Sequence, residues 1–185
     1  MRIKEDLSIE DFYVMFELEK QFYSVDCITP PMESYRWYLH FKRSFLVVEV
    51  DGLVVGFMCL FPVSNEVRDL IEAGCFNDAS LEFTDIINEE QLKVGDTYTL
   101  FLSCVLIDSS YRQTSALKLL LNGYKAYYAR LEARGIWFDD VLSDNVTEAG
   151  LQFSSGLGLS PVIGSDHESM IVKGTYKEVM SRIRA

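Results

Sequence analysis

Positive charge is in short supply in this 185-residue sequence: 17 Lys and Arg stand against 28 Asp and Glu, a formal net charge of −11. A protein that grips DNA or RNA by its phosphates needs clustered Lys and Arg, so nucleic-acid binding is disfavoured, and attachment to anionic lipid equally so. Histidine is rarer still. His40 and His167 lie far apart, outside any ligand-spaced cluster of acids or cysteines, so both read as ordinary side chains and no metal is expected. The four cysteines (Cys27, Cys59, Cys75, Cys104) form no C-x-x-C pair, and three lie in strongly apolar surroundings. Reduced thiols in a cytosolic protein fit that usage better than a disulfide framework. The Met1–Asp6 stretch has no apolar segment, so no secretory leader is expected, and the apolar run from Val54 to Val63 is too short to span a bilayer. A soluble, cytoplasmic protein is the expectation. Neither a G-x-S-x-G elbow nor a G-x-x-x-x-G-K-[ST] loop occurs, which removes the simplest hydrolase and P-loop readings. Gly156-Leu157-Gly158 opens like a dinucleotide fingerprint but lacks the third glycine and falls at the end of a helix.

Apolar residues, by contrast, make up 49% of the chain and aromatics 13%, enough for a substantial core, which excludes disorder and fibrous repeats. Ser8 with Asp11 marks a helix start, with Leu7 and Phe12 as a hydrophobic staple and Met15 and Phe16 continuing the stripe. Pro31 can open a second helix running to about Lys42. Two apolar runs, Ser44–Val50 and Leu53–Phe61, flank Asp51-Gly52, the dipeptide that a type I′ hairpin turn favours. A strand from Thr97 to Ile107 precedes a helix over about Thr114–Arg134, in which Leu117, Leu120, Leu121, Tyr124, Tyr128 and Leu131 recur every three or four residues. Gly135 stands at its C-cap. Ile136–Leu142 reads as a strand, Asn145–Gly156 as a helix, Ser169–Lys173 as a last strand, and a helix follows from Tyr176. With no repeat and no linker, the expectation is one α/β domain over residues 1–185, built on a mixed, mostly antiparallel twisted sheet flanked by helices.

Residues 65–96 stand apart. Nine acids and two bases there carry a net −7, most of the charge of the whole protein, with enough apolar residues for one or two short helices. They read as an acidic insertion, either a flap on a substrate side or a solvated loop.

The stretch most suited to chemistry is Val105 to Leu121. A strand ends at Ile107, a short polar turn carries Tyr111-Arg112, and a long helix begins among small or polar residues. Such a junction exposes backbone N–H groups at the positive end of a helix dipole, a ready seat for a phosphate or pyrophosphate, with Arg112 and Lys118 beside it. A plain helix start accounts for the same residues equally well. Cys104 reads as a small buried hydrophobe, and Asn145 as a cap for the helix after it.

Arg112-Gln113-Thr114-Ser115-Ala116-Leu117, at the opening of that helix, resembles the Arg/Gln-x-x-Gly-x-Gly/Ala signature of the GNAT superfamily of N-acetyltransferases. The two early helices, the Asp-Gly hairpin, and the run from Asn145 through Ala149 to Gly158-Leu159 and Pro161-Val162 follow the family's order over nearly the whole chain. The resemblance implies an acyltransferase that moves an acetyl or similar group from acyl-CoA to an amine on a small molecule or peptide, with no metal. Pantetheine would pair with the backbone near Val105 and Ile107, and pyrophosphate would rest on the amides of Gln113, Thr114, Ser115, Ala116, Leu117 and Lys118, with Arg112 beside it. Asn145 and Ser154 would complete the cofactor contacts. Three departures stand out. Ser115 and Leu117 replace glycine or alanine, Ser154 stands where a tyrosine general acid is common, and no Asp or Glu lies between Thr97 and Ile107. Proton transfer would then use water, the substrate, or an acid of the insertion such as Glu82 or Asp85; Asp139, Asp140 and Asp144 could meet a cationic acceptor. The same departures leave open a CoA-binding or interaction module, including a homodimer, that works without turnover.

Overall fold

Asp51 (φ 50°) and Gly52 (φ 84°) take the left-handed backbone that a type I′ turn requires. They join strand β2 (Phe45–Val50) to β3 (Leu53–Val63). The remaining strands are β1 (Arg2–Lys4), β4 (Thr97–Ile107), β5 (Trp137–Asn145), β6 (Ser160–Gly164) and β7 (Met170–Thr175). The computed structural model describes residues 1–76, 80–166 and 168–183; His167 and Asp78 of the acidic segment lie outside the described residues. Its strands form one open sheet in the order β1-β2-β3-β4-β5-β7-β6, antiparallel throughout except for β4 against β5. That single parallel pair needs a crossover, which the long helix between the two strands supplies. This is the α/β, mostly antiparallel architecture expected from the sequence.

Helices α1 (Ile9–Glu19), α2 (Pro31–His40) and α3 (Asn65–Glu72) cover one face. There Phe12 meets Phe45 edge-on, Trp37 meets Phe61, and Phe76, just after α3, meets Phe101. Helices α4 (Ala116–Glu132), α5 (Glu148–Gly156) and α6 (Tyr176–Arg182) cover the other, where Tyr128 and Tyr176 pack on Phe138. The tyrosines of α4 do more than fill space. A bulge interrupts the β3–β4 ladder, so that Cys59 pairs with Cys104 but Leu60 with Leu102. The buried Tyr124 hydroxyl accepts the Leu60 N–H (3.1 Å) and faces the carbonyls of Met58 and Ser44 at 2.8 and 2.9 Å, while Tyr128 donates to the Leu60 carbonyl at 2.9 Å. These groups lie on the β2 side of β3, where β2 starts, and the Leu60 N–H also reaches the Ser44 carbonyl at 3.2 Å, so the helix layer reinforces the end of the β2–β3 seam.

Several boundaries differ from the sequence reading, each for a local reason. β1 and β6 went unforeseen because one is three residues long and the other is an exposed edge containing Pro161. Helix α4 starts at Ala116 rather than Thr114, because a 3-10 turn over Ser109–Tyr111 uses the preceding residues. β5 continues through Ser143, Asp144 and Asn145, held by β7, so Asn145 is a strand residue and not a cap. Thr147 caps α5 instead, its hydroxyl accepting the Gly150 N–H at 3.0 Å. The acidic segment is integral to the core: Val67, Ile71, Phe76, Leu81, Ile86 and Leu92 are buried in it. Glu72 of α3 is tied to Lys173, which also holds Asp140, both at 2.7 Å.

Candidate functional site

β4 and β5 run side by side only from Thr97↔Trp137 to Leu102↔Ser143. At the last pair the buried Ser143 hydroxyl donates to the Leu102 carbonyl at 2.8 Å. Beyond it β5 follows β7, and among the described residues no strand pairs with β4 from Ser103 to Ile107 on that side. The Asp108 N–H goes to Val55 of β3 (2.9 Å), so by ladder alternation Leu106 also faces β3, whereas Val105 and Ile107 turn their N–H and C=O groups to the gap. Arg112 occupies part of this edge: its Nε donates to the Ile107 carbonyl at 3.3 Å, and its guanidinium lies 4.8 Å from the centre of the Phe22 ring.

The open edge leads to the start of α4. Thr114 Oγ1 donates to the Tyr111 carbonyl (2.6 Å) and accepts the Ala116 N–H (3.3 Å), which tightens the loop ahead of the helix. Ser115 is the N-cap residue but makes no side-chain cap bond; its hydroxyl donates to the Met1 sulfur at 3.5 Å. The N–H groups of Leu117 and Lys118 belong to the first turn, where no intrahelical acceptor exists. Ala116 is buried and Leu117 half-buried against the core, while Arg112, Gln113, Thr114, Ser115 and Lys118 are exposed. Backbone donors and two cations therefore flank one helix start, a chemistry that fits a pyrophosphate. Because Leu117 packs against the core, its branched side chain is drawn toward the sheet rather than left over the turn.

Asn145 and Ser154 come together as a buried pair, Ser154 Oγ donating to Asn145 Oδ1 at 3.0 Å. Ser154 is only 1% exposed, and the Asn145 amide nitrogen has no hydrogen-bond partner among the described residues. Ser154 thus fastens α5 to the end of β5.

The β4 bulge has a second consequence. It turns Ser103 and Cys104 into one small cavity of about 20 Å³, walled by Phe12, Phe45, Phe57 and Trp37 and containing Glu19. Cys104 Sγ donates to Glu19 Oε1 at 3.6 Å. Cys104 is accordingly a half-buried, hydrogen-bonded thiol and not the buried hydrophobe expected, because the bulge re-aims it toward α1. Tyr23 lies near both groups. Burial first, then the electrostatic influence of the neighbouring Cys104 and Glu19, push its phenol above the ordinary value, so it stays protonated at neutral pH. Glu19 was missed by sequence reasoning: a single acid at a helix end carries no signature, and neither does the bulge it faces. Glu82 and Asp85 are not in this place. They close a short turn whose Ile86 bridges Val63, at the opposite end of β4 from the gap. Asp139 accepts the Thr99 hydroxyl (3.0 Å), Asp140 pairs with Lys173, and His40 binds the Ile86 carbonyl (2.9 Å). Among the described residues no group of His, Cys, Asp and Glu could hold a metal ion, and no helix is long and apolar enough to cross a membrane.

No family model and no curated protein matches the sequence. Solved structures do match the fold. The loading GNATL domain of CurA from Lyngbya majuscula is 15% identical, with 95% of this chain and 98% of that one covered and a TM-score of 0.63. Naa20 from Chaetomium thermophilum, solved with a bisubstrate analogue, is 12% identical over 98% and 90%, with a TM-score of 0.61. The GNAT-like decarboxylase GphF, in complex with isobutyryl-CoA, is 15% identical over 95% and 99%, with a TM-score of 0.59. With the parted β4–β5 pair and the helix that starts beside it, these likenesses establish that the chain has the fold of the GNAT acyl-CoA N-acyltransferases.

Proposed function

We propose that this protein transfers an acetyl or similarly short acyl group from acyl-CoA to an amine of a small molecule or peptide in the cytoplasm. The observation that carries the reading is the gap between β4 and β5 beyond Leu102↔Ser143, opening directly onto the start of α4. In this reading the pantetheine amides pair with Val105 and Ile107 as an added strand, and the pyrophosphate takes the N–H groups of Ser115, Leu117 and Lys118 with Arg112 nearby. The thioester reaches the bulge at Ser103 and Cys104, where a strand N–H polarises its carbonyl. The small, aromatic-walled cavity favours a short acyl chain. Glu19 is the carboxylate placed to take a proton, in the role that no acid of β4 can fill. Asn145 and Ser154 shape the far wall of the gap.

GphF, with the same fold, is a decarboxylase, so the reaction rests on the site and not on the fold. One observation favours a rival. The tyrosine position is filled by a buried, bonded Ser154, which suits a module that binds CoA, alone or as a homodimer, without turnover. Calorimetric titration with acetyl-CoA followed by CoA-release assays over a panel of amines separates the two. Binding with release supports transfer; binding with no release from any amine supports the module; no heat at millimolar acetyl-CoA overturns both.

A further inference from the structure

The thiol in the cavity has a use that direct transfer leaves idle. We propose that Cys104 accepts the acyl group from CoA as a thioester and then hands it to the amine. The inference rests on the acyltransferase reading above.

Four observations carry it. Cys104 lies on β4 just past the last β4–β5 pair, on the segment whose open edge would carry the pantetheine arm. The bulge turns it into the cavity, where a strand without the extra residue would alternate it differently. Its thiol already donates to Glu19, so nucleophile and base sit within hydrogen-bonding reach, the arrangement that nucleophilic catalysis requires. Trp37 lines the same cavity, and its indole N–H is buried without a hydrogen-bond partner among the described residues, an uncompensated donor in the wall around the thiol. Cys59, directly opposite on β3, lines the cavity too, but it is buried.

The step balances without any further reagent. As Cys104 Sγ attacks the thioester carbon, its proton passes to Glu19. The tetrahedral adduct collapses, the bond to the CoA sulfur breaks, and the proton on Glu19 goes to the departing thiolate. One thioester replaces another, so the exchange is close to neutral in free energy. In the second half the amine attacks the Cys104 thioester, Glu19 takes its proton, and Cys104 leaves as a thiol. The scheme accounts for the missing tyrosine: with Glu19 cycling the proton, no separate acid is needed at the position of Ser154.

The test is intact-protein mass spectrometry of the whole chain after brief exposure to acetyl-CoA and an acid quench, with acetyl-CoA binding measured on the same sample. The expected result is one added acetyl group, mapped by peptide analysis to Cys104 and removed by neutral hydroxylamine, which cleaves thioesters and spares amides. E19Q should slow its formation by about 100-fold, the ordinary scale of general-base catalysis. C104S should form no hydroxylamine-sensitive adduct, and C75S, altered at an exposed cysteine outside the site, should form it as the wild type does. A wild-type protein that binds acetyl-CoA and stays unmodified, or is modified at Cys59 instead, overturns the acyl-enzyme and leaves the functional reading standing. A protein that binds no acetyl-CoA overturns both.

Discussion

The Tyr124 hydroxyl accepts the N–H of Leu60 at 3.1 Å, immediately beside the bulge that turns Cys104 into the cavity. A helix on one face of the sheet is thereby fastened to the start of β2 and the middle of β3, one residue along β3 from the Cys59↔Cys104 pair. Tyr124→Phe removes the hydroxyl and its buried contacts to Leu60, Met58 and Ser44, while the Leu60 N–H keeps its 3.2 Å bond to the Ser44 carbonyl. The expected cost is about 1–3 kcal/mol, read as a lower denaturant midpoint with an unchanged slope. A variant as stable as wild type would mean that the β2–β3 seam holds its shape without the hydroxyl.

Much of this arrangement is legible in the residues. Asp51-Gly52, the caps and the period of α4 each advertise a local rule, and the order of elements follows from them. What the sequence hides is set by tertiary pairing. Nothing local marks the end of the β4–β5 ladder at Ser143 or the extra residue at Ser103, and those two features decide where Cys104 and Glu19 meet. The tyrosines of α4 read as an apolar stripe, because a period reveals that a side chain is buried but not that its hydroxyl has work to do. Asn145 looked like a cap because Asn favours caps, and only the pairing with β7 makes it a strand residue.

Ser154 and Asn145 make a separable prediction. The Ser154 hydroxyl is buried and donates to Asn145 Oδ1, so its proton is committed to the fold. Ser154→Ala is expected to cost about 1–3 kcal/mol in stability by stranding the Asn145 carbonyl. The pH dependence of kcat should keep its shape, since no acid titrating in the working range is lost. A changed alkaline limb would mean that the serine, or a water it holds, carries a proton after all. Ser154→Tyr should destabilise by overpacking rather than restore an acid, which thermal unfolding would report.

Alkaline pH should unfold the protein. Burial raises the phenols of Tyr124 and Tyr128 well above the usual value, and burial likewise leads the rise at Tyr23, Tyr127 and Tyr176. Lys173 is raised as well, by its hydrogen bonds to Asp140 and Glu72. In the unfolded chain these groups release protons near their ordinary values of about 10, while the folded chain keeps them. The unfolded state then binds fewer protons, so stability, fully present below about pH 10, falls as pH rises toward the folded values. The phenolate absorbance of these five tyrosines, half of the ten in the chain, should appear together with loss of ellipticity. Phenolate from more than the five tyrosines outside this group, in a chain still folded, would contradict the burial of these hydroxyls.

Arg112 offers the sharpest test of the cofactor site. Its Nε holds the Ile107 carbonyl, an acceptor that the pantetheine arm would also use, and its guanidinium rests on Phe22. The side chain is exposed, so its net value to a bound CoA is the attraction to phosphate less the loss of these contacts. A charge-assisted hydrogen bond to phosphate is worth about 1.5–3 kcal/mol, and the contacts given up are a long bond and a surface stacking. Arg112→Ala should therefore weaken CoA binding by about tenfold at low ionic strength. Because salt screens the phosphate attraction and spares the backbone contacts, the wild-type and variant affinities should converge as salt rises. Isothermal titration at two ionic strengths reads both effects. Tighter binding by the variant would reverse the assignment, making Arg112 a plug on the Ile107 edge rather than a partner of the pyrophosphate.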